Sequence, residues 1–478
     1  MYKRELKKTT KQEEFKTLLE IPQHFNSAKV YLVGGIVRDV LSSRESDDYD
    51  FVVTGVLLDK LEAYLRNLGD VNLVGKSFGV LKFRPTDGQI TFDLSLPRTE
   101  VSTKVGGYKD FDVQYDPALS ITDDLSRRDF TINAMAYDII NNDLIDPYNG
   151  QKDLRNKIIR TVEKPRDRFR EDYSRILRGI RFACQHKMKI EPKTWQAMKD
   201  EMHHVFASNI VPPEIIGDEF LKAYAADPYK WFELAEESKL LPLILPEVNL
   251  AKKTKQDEAW HSEGNVYEHT KLVVSKLMPY HSLELKLGAL FHDVGKVLTI
   301  KTPEKDGVSK IQYHEHTDVG GELTAKIAKR LRFPNSLKDY VVWLVENHHL
   351  FSSGSVYEMR PNTIYKYFIK DPDRGDDLLE LYRLDSLGAV YDGQKKDLQN
   401  QKEVAVYVNK MRAAFAKAKT QSIRHLISGE DIMQEFGLES GPEVGKVLDK
   451  AEEYVLRYVT KNRKEPSKKK IIDYLRNR

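Results

Sequence analysis

The chain is expected to fold as a small mixed-sheet α/β domain followed by successive all-α domains, so that it is mainly α overall. Three observations predict this: strand-like apolar runs cluster before Gly150, amphipathic runs broken by prolines follow them, and histidines gather late in the chain. A length of 478 residues exceeds the roughly 250–300 at which single cores stop growing, so several domains are required.

The first element is VYLVGG (30–35), an apolar run ending in two glycines. IVRDVL then opens a helix and DYDFVVTG (48–55) a second strand, a βαβ-like pattern. VLKF (80–83) and ITFDLSL (90–96) read as further strands, and SRRDFTINAMAYDI (126–139) as a helix. The α/β domain is therefore assigned to 29–150, after an N-terminal extension, 1–28. Helices with breaks at Pro212, Pro213, Pro228, Pro242 and Pro246 fill 151–255. Eight of the 13 histidines lie between His261 and His349, which marks 256–392 as a helical domain with a site. The remainder, 393–478, is helical and basic; residues 401–478 carry 17 Lys+Arg against 11 Asp+Glu, although the whole chain is only +3. A basic tail suits a polyanion, and a solvated helix end would look the same. No apolar run approaches the roughly 20 residues that span a bilayer. The N-terminus lacks the apolar core of a secretory signal and Cys184 is the lone cysteine, so the expected compartment is the cytoplasm, with no membrane partner.

Asp48 and Asp50 are one residue apart on a strand, so the period of two turns both carboxylates to one face. Such a pair can hold hard divalent cations, Mg²⁺ above all, which leave coordination positions for phosphates. Asp93 is a candidate third carboxylate. Gly34 and Gly35 stand at a strand-to-helix junction where backbone N–H groups can approach a phosphate. One turn on, the Arg38 guanidinium can fork onto a phosphate, or pair with Asp39 on the helix surface.

LVGGIVRD (32–39), DYDF (48–51), RRDFTINAMA (127–136), DPYNGQKDL (146–154) and EDYSRILRGIRFA (171–183) together resemble the class II tRNA nucleotidyltransferases, the bacterial CCA-adding enzymes and their poly(A) polymerase relatives. The resemblance implies a nucleotidyltransferase head, then a helical neck and body, and two-metal addition of C and A from CTP and ATP to the tRNA 3′ end. It makes Asp48 and Asp50 the catalytic metal ligands. Gly35, Arg38, Arg128, Asp172, Arg175, Arg178 and Arg181 would bind nucleotide, and Asn133 would read the ribose. Asp172 and Arg175, at i,i+3 on one helix face, would act as the template. A carboxylate accepts from the exocyclic amine of cytosine and adenine, and uracil and guanine carry a carbonyl at the equivalent place. A surface salt bridge would have the same spacing. Where the family has a Glu-Arg pair this chain reads PPEIIGDEF (212–220), so Glu214 and Glu219 receive no role.

YEHT (267–270), LFHDVGK (290–296), YHEHTDVGGEL (313–323), VENHHL (345–350) and LDSLG (384–388) resemble an HD-superfamily phosphohydrolase domain. His269, His292, Asp293 and Asp385 would hold a divalent metal whose identity the ligands leave open, with His316 and His348 available for a second ion. LISGEDIMQEFGLESGPEVGKVLDK (426–450) resembles the C-terminal module of HD-containing members, and the basic tail would grip tRNA through phosphates. Within the class, A-only, CC-only or poly(A) addition stays open, because the change from C to A also depends on a loop expected within 98–118. In another class, the HD domain would be the principal activity.

Overall fold

In a computed structural model the described residues are 6, 15–74, 79–86, 88–102, 106, 107, 111–207, 210–259, 261–350, 361–391, 394–420, 426–462 and 464–477. They form two compact units, one ending at Ile244 and one beginning at Leu245.

The first unit is built on a seven-stranded sheet. Its strands are β1 (Lys29–Val33), β2 (Tyr49–Thr54), β3 (Gly69–Val74), β4 (Val80–Pro85), β5 (Phe92–Ser95), β8 (Ala136–Asp138) and β9 (Asp143–Ile145), in the order β3-β4-β5-β2-β1-β8-β9. A separate hairpin joins β6 (Arg98–Ser102) to β7 (Phe111–Tyr115). Val30 to Val33 of β1 are all buried, as a near-continuous apolar run requires of a central strand. The βαβ-like opening holds only in part, because β1 and β2 pair antiparallel around the helix Gly35–Leu41. The parallel neighbours are β2 and β5, which makes the sheet mixed as expected. Phe15, fully buried ahead of the helix Lys16–His24, packs edge-on against Tyr49 and Phe51 at ring distances of 5.2 and 6.0 Å.

The expected helix over 126–139 is not formed. A helix runs over Ile121–Ser126, a short 3₁₀ turn over Thr131–Asn133, and 136–138 is β8, antiparallel to β1. The backbone donors between them are spent elsewhere: Phe130 N–H donates to Asp129 Oδ1 at 2.7 Å and Thr131 N–H to the Arg160 carbonyl at 2.9 Å. An aspartate that captures its neighbour's N–H competes with the helix ladder, and here it wins.

Helices follow at Pro165–Glu171, Ser174–Gln185, Pro192–Glu201, Pro213–Ala226 and Pro228–Glu237. Four of the five open on proline, whose missing N–H costs nothing in the first turn. Phe220, Tyr224 and Trp231 close their core, with the Phe220 and Trp231 rings 4.7 Å apart.

In the second unit, Val273, Leu285, Ala289, Leu344, Leu381 and Leu384 form the core among the helices Val266–Ser275, Leu283–Phe291, His316–Arg330, Asn335–Asn347 and Pro372–Gly388. The tail has a smaller core around Ile432, Ala451, Val455 and Ile471, contributed by helices at Gly429–Phe436, Pro442–Asn462 and Lys468–Arg476. No described helix is long and apolar enough to cross a membrane.

DPYNG has a structural task. The Asp146 carboxylate accepts from Gly150 N–H at 2.6 Å and Gln151 N–H at 3.0 Å, opening the helix Gly150–Asn156. A Cβ on Gly150 would overlap the Thr131 carbonyl oxygen and press on Met135. Gly150→Ala should therefore lower stability by about 1–3 kcal/mol. Chemical denaturation of the two proteins measures this, and equal midpoints would show that the contact yields freely.

Candidate active site and metal centre

Because β2 and β5 are parallel neighbours, Asp50 stands in register with Asp93. Asp48 immediately precedes β2, two residues from Asp50. Burial and then the Asp48 charge push the Asp50 carboxyl up to about 6, against the pull of Arg128. A carboxylate raised by a like neighbour fits a cation-binding position. Asp93 is engaged by Lys82, whose Nζ donates to its two oxygens at 2.7 and 2.9 Å. Gly34, at φ 75°, occupies the gap between Arg128 and Asp50: a Cβ there would lie 3.1 Å from Arg128 Nη1 and 3.5 Å from Asp50 Oδ2. Gly35 begins the helix that carries Arg38.

Behind this pair the basic residues form one network. Arg38 Nη1 donates to Asn133 Oδ1 at 2.7 Å, and Asn133 Nδ2 to Asp129 Oδ1 at 3.0 Å. The other oxygen of Asp129 accepts from Arg178 Nε and Nη2 at 2.9 and 2.7 Å. Arg38 also pairs with Asp39 at 2.8 Å, yet it is buried, so the surface alternative for this pair does not apply. Arg181 Nε donates to Glu219 Oε2 at 2.7 Å, which gives the unassigned Glu219 a partner. The Phe182 ring carries three guanidiniums, Arg181 at 4.2 Å and Arg38 and Arg178 at 5.4 Å. Arg128 pairs with buried Asp124 at 3.1 Å. Burial opposes ionisation of Asp129, but Arg178 and the Asn133 amide outweigh it and lower its carboxyl to about 2.

Asp172 and Arg175 do not share a helix. Asp172 is extended (φ −154°, ψ 105°) at the break between Pro165–Glu171 and Ser174–Gln185, and its Oδ1 accepts from Ser174 N–H at 2.9 Å. That bond is an aspartate's local turn just ahead of the second helix, whose N-cap is Tyr173. The two side chains still approach to 3.9 Å. Arg175 is held by Glu171 at 2.8 Å and by the Arg127 carbonyl at 3.3 Å. Of the loop expected within 98–118, residues 103–105 and 108–110 lie outside the described residues. Gly106 is described: its carbonyl accepts from Tyr173 N–H at 3.1 Å, and a Cβ on it would overlap the Tyr173 ring.

The second unit brings all six HD-type ligands together. His269 Nε2 lies 2.9 Å from Asp385 Oδ1 and 3.2 Å from His292 Nε2, while Asp293 Oδ2 is 3.4 Å from His292 Nε2. The other Asp293 oxygen, Oδ1, is 3.8 Å from His316 Nε2 and 3.7 Å from His348 Nε2. Asp293 is thus placed to bridge two positions. Nδ1 of each imidazole has an anchor: Glu263 for His269 at 3.0 Å, and the carbonyls of Ala289, Tyr313 and Val345 for His292, His316 and His348. Where Nδ1–H is anchored on a backbone carbonyl, as at His292, His316 and His348, the Nε2 lone pair is left facing inward, the tautomer a metal requires. Asp293 Oδ1, His316 Nε2 and His348 Nε2 are buried without a hydrogen-bond partner among the described residues, so the donor set fits divalent cations. Burial holds the His316 imidazole down to about 4, neutral and ready to ligate. Buried Lys296 donates to Asp293 Oδ2 at 2.7 Å and to Gln256 at 3.2 Å. Sequence reasoning missed Glu263, in a loop with no helical spacing to His269, and His349, which lies within ligand distance of His316 and His348.

Two outcomes follow from these contacts. Glu263→Gln should weaken divalent-metal binding by about 10–100-fold in calorimetric titration of the metal-free protein; unchanged affinity would remove Glu263 from the site. Asp129 adds stability in full above the ordinary carboxyl value, 3.8, and loses it as pH falls through about 2. Asp129→Asn should therefore cost about 2 kcal/mol in urea melts at neutral pH, a difference that shrinks below pH ~4.

Comparison with known proteins matches three family descriptions: Poly A polymerase head domain over 30–160, probable RNA and SrmB-binding site of polymerase A over 187–252, and HD domain over 266–377. The multifunctional CCA protein of Vibrio parahaemolyticus is 34% identical over 347 residues, covering 72% of this chain and 80% of its own. That of Aliivibrio salmonicida is 31% identical over 411 residues, covering 84% and 93%. The solved Bacillus stearothermophilus CCA-adding enzyme in complex with CTP has the same fold, with a TM-score of 0.59 at 19% identity and 98% of both chains covered. The Thermotoga maritima CCA-adding enzyme complexed with tRNA shares it at a TM-score of 0.54 and 20% identity, over 96% of this chain and 94% of that one. With a nucleotidyltransferase head, an RNA-binding segment and an HD domain in this order, the chain belongs to the multifunctional CCA protein family.

Proposed function

We propose that the chain is a CCA tRNA nucleotidyltransferase, adding C and A from CTP and ATP to the tRNA 3′ end without a nucleic-acid template. The observation that carries this reading is Asp50, beside the Asp48 charge, facing Arg128 across the space left by Gly34, with Arg38, Arg178 and Arg181 gathered on Phe182. Asp48 and Asp50 would hold Mg²⁺, which when bound would lower the cost of ionising the 3′-hydroxyl and would offset charge on pyrophosphate as it leaves. Gly35 leaves backbone open to the phosphates, and Arg38, Arg128, Arg178 and Arg181 neutralise the triphosphate. Asp172 accepts from an exocyclic amine and Arg175 donates beside it, which selects cytosine and adenine over uracil and guanine. The head is assigned to 29–150, the neck and body to 151–255, the HD domain to 256–392 and a tRNA-binding tail to 393–478. The lone, buried Cys184 suits the cytoplasm.

A second activity has its own support. His269, His292, Asp293 and Asp385, with their anchored imidazoles, form a complete set for a metal-dependent phosphohydrolase.

Labelled CTP and ATP, separate and together, should extend tRNA transcripts ending at the discriminator, at C or at CC, all to CCA. Arrest at CC, or growth from CC alone, would make the chain a half-enzyme. Asp48→Ala and Asp50→Ala should reduce incorporation to background and spare phosphatase activity, and His292→Ala and Asp293→Ala should do the reverse; incorporation that survives the head substitutions would overturn the assignment.

A further inference from the structure

A second basic site lies within the first unit, away from Asp48 and Asp50. Three helices, Gly35–Leu41, Gly150–Asn156 and Ser174–Gln185, end around one cavity of about 360 Å³. Each chain turns back through a left-handed residue beyond its helix: Ser43 (φ 54°), Lys157 (φ 55°) and Lys187 (φ 52°). These reversals point their neighbours at a common space. The floor is apolar, made by the buried side chains of Leu41, Leu154 and Met188, and the rim carries Arg44, Arg155, Lys157 and Lys187, all exposed. Among the described residues, none that lines it is acidic. Three helix C-termini bring about half a negative charge each, which four full cations exceed.

One wall is His186. Arg44 Nη1 lies 2.6 Å from its Nδ1, a contact in which the always-charged guanidinium must donate and the imidazole accept. The proton is thereby assigned to Nε2, a buried atom with no hydrogen-bond partner among the described residues. The site therefore offers cations and an apolar surface, in a volume within the range of small-ligand pockets. The same imidazole stacks on Phe182 at 5.9 Å and 27°, the ring that carries Arg38, Arg178 and Arg181, so the cavity and the nucleotide site share a wall of π-stacked groups.

We propose that this cavity binds a nucleotide unit, its phosphate on the Arg44, Arg155, Lys157 and Lys187 rim and its base over the Leu41, Leu154 and Met188 floor. The nucleotide is either free or one residue of the bound RNA, and the two sources separate by experiment. Lys157→Ala/Lys187→Ala removes two exposed side chains that take no part in the reaction centre; Arg44→Ala/Arg155→Ala serves as a second variant should the first lose its thermal transition. Equilibrium dialysis with labelled ATP, without RNA, reads the number of sites. Two ATP per wild-type chain and one per variant would identify a free nucleotide. One ATP in both proteins, with tRNA affinity about tenfold weaker in the variant and a log–log salt slope shallower by about two, would identify a nucleotide of the RNA. Equal ATP stoichiometry together with equal tRNA affinity and salt slope overturns the proposal. Because dialysis needs no turnover, this result stands apart from whether the chain adds CCA.

Discussion

The buried carboxylate of Asp129 is the constraint on which the first unit depends. One oxygen takes the Phe130 N–H and the Asn133 amide, and the other takes the Arg178 guanidinium in a fork. The backbone consequence is that residues 129–133 abandon the helical path, so that 136–138 can pair with β1 and extend the sheet. The electrostatic consequence is that Asn133 is turned toward Arg38, and Arg178 is fixed on the next helix. A single acid thus couples sheet geometry to the placement of two cations, at low cost because every lone pair facing inward has a donor.

The two units handle charge by opposite means. The head concentrates formal charges, carboxylates on β2 and β5 beside guanidiniums, and burial and like charge together raise the Asp50 carboxyl against the pull of Arg128. The HD-type site places imidazoles around one carboxylate, Asp293, and anchors them through Nδ1. Oxygen ligands suit a hard ion that exchanges with substrate, and nitrogen ligands suit a tightly held transition ion. The two donor sets would therefore suit two different metal chemistries.

What the sequence made legible follows from periodicity and motif. The strand that carries Asp50 could be read from its apolar run, although Asp48 falls just before it, and the helical region from amphipathic runs with breaks marked by prolines. Illegible were features set by contacts distant in sequence. Asp129 breaks a helix-like pattern through side-chain bonds, Asp172 leaves the helix it was expected to share with Arg175, and Glu219 meets Arg181 across 38 residues. Glu263 anchors His269 from a loop, where no spacing rule applies. Long-range ion pairs leave no periodic trace.

The arginines on Phe182 each have a carboxylate of their own: Asp39 for Arg38, Asp129 for Arg178, Glu219 for Arg181. A triphosphate bound there, as proposed, would trade one set of charge-assisted bonds for another, so its affinity would be a difference between two large quantities. Because the cluster is neutralised from within by its own carboxylates, no electrostatic penalty would delay departure of a used nucleotide. For a catalyst that must discard pyrophosphate and exchange cytidine for adenosine between consecutive steps on one RNA end, such internal neutralisation favours rapid exchange over tight retention.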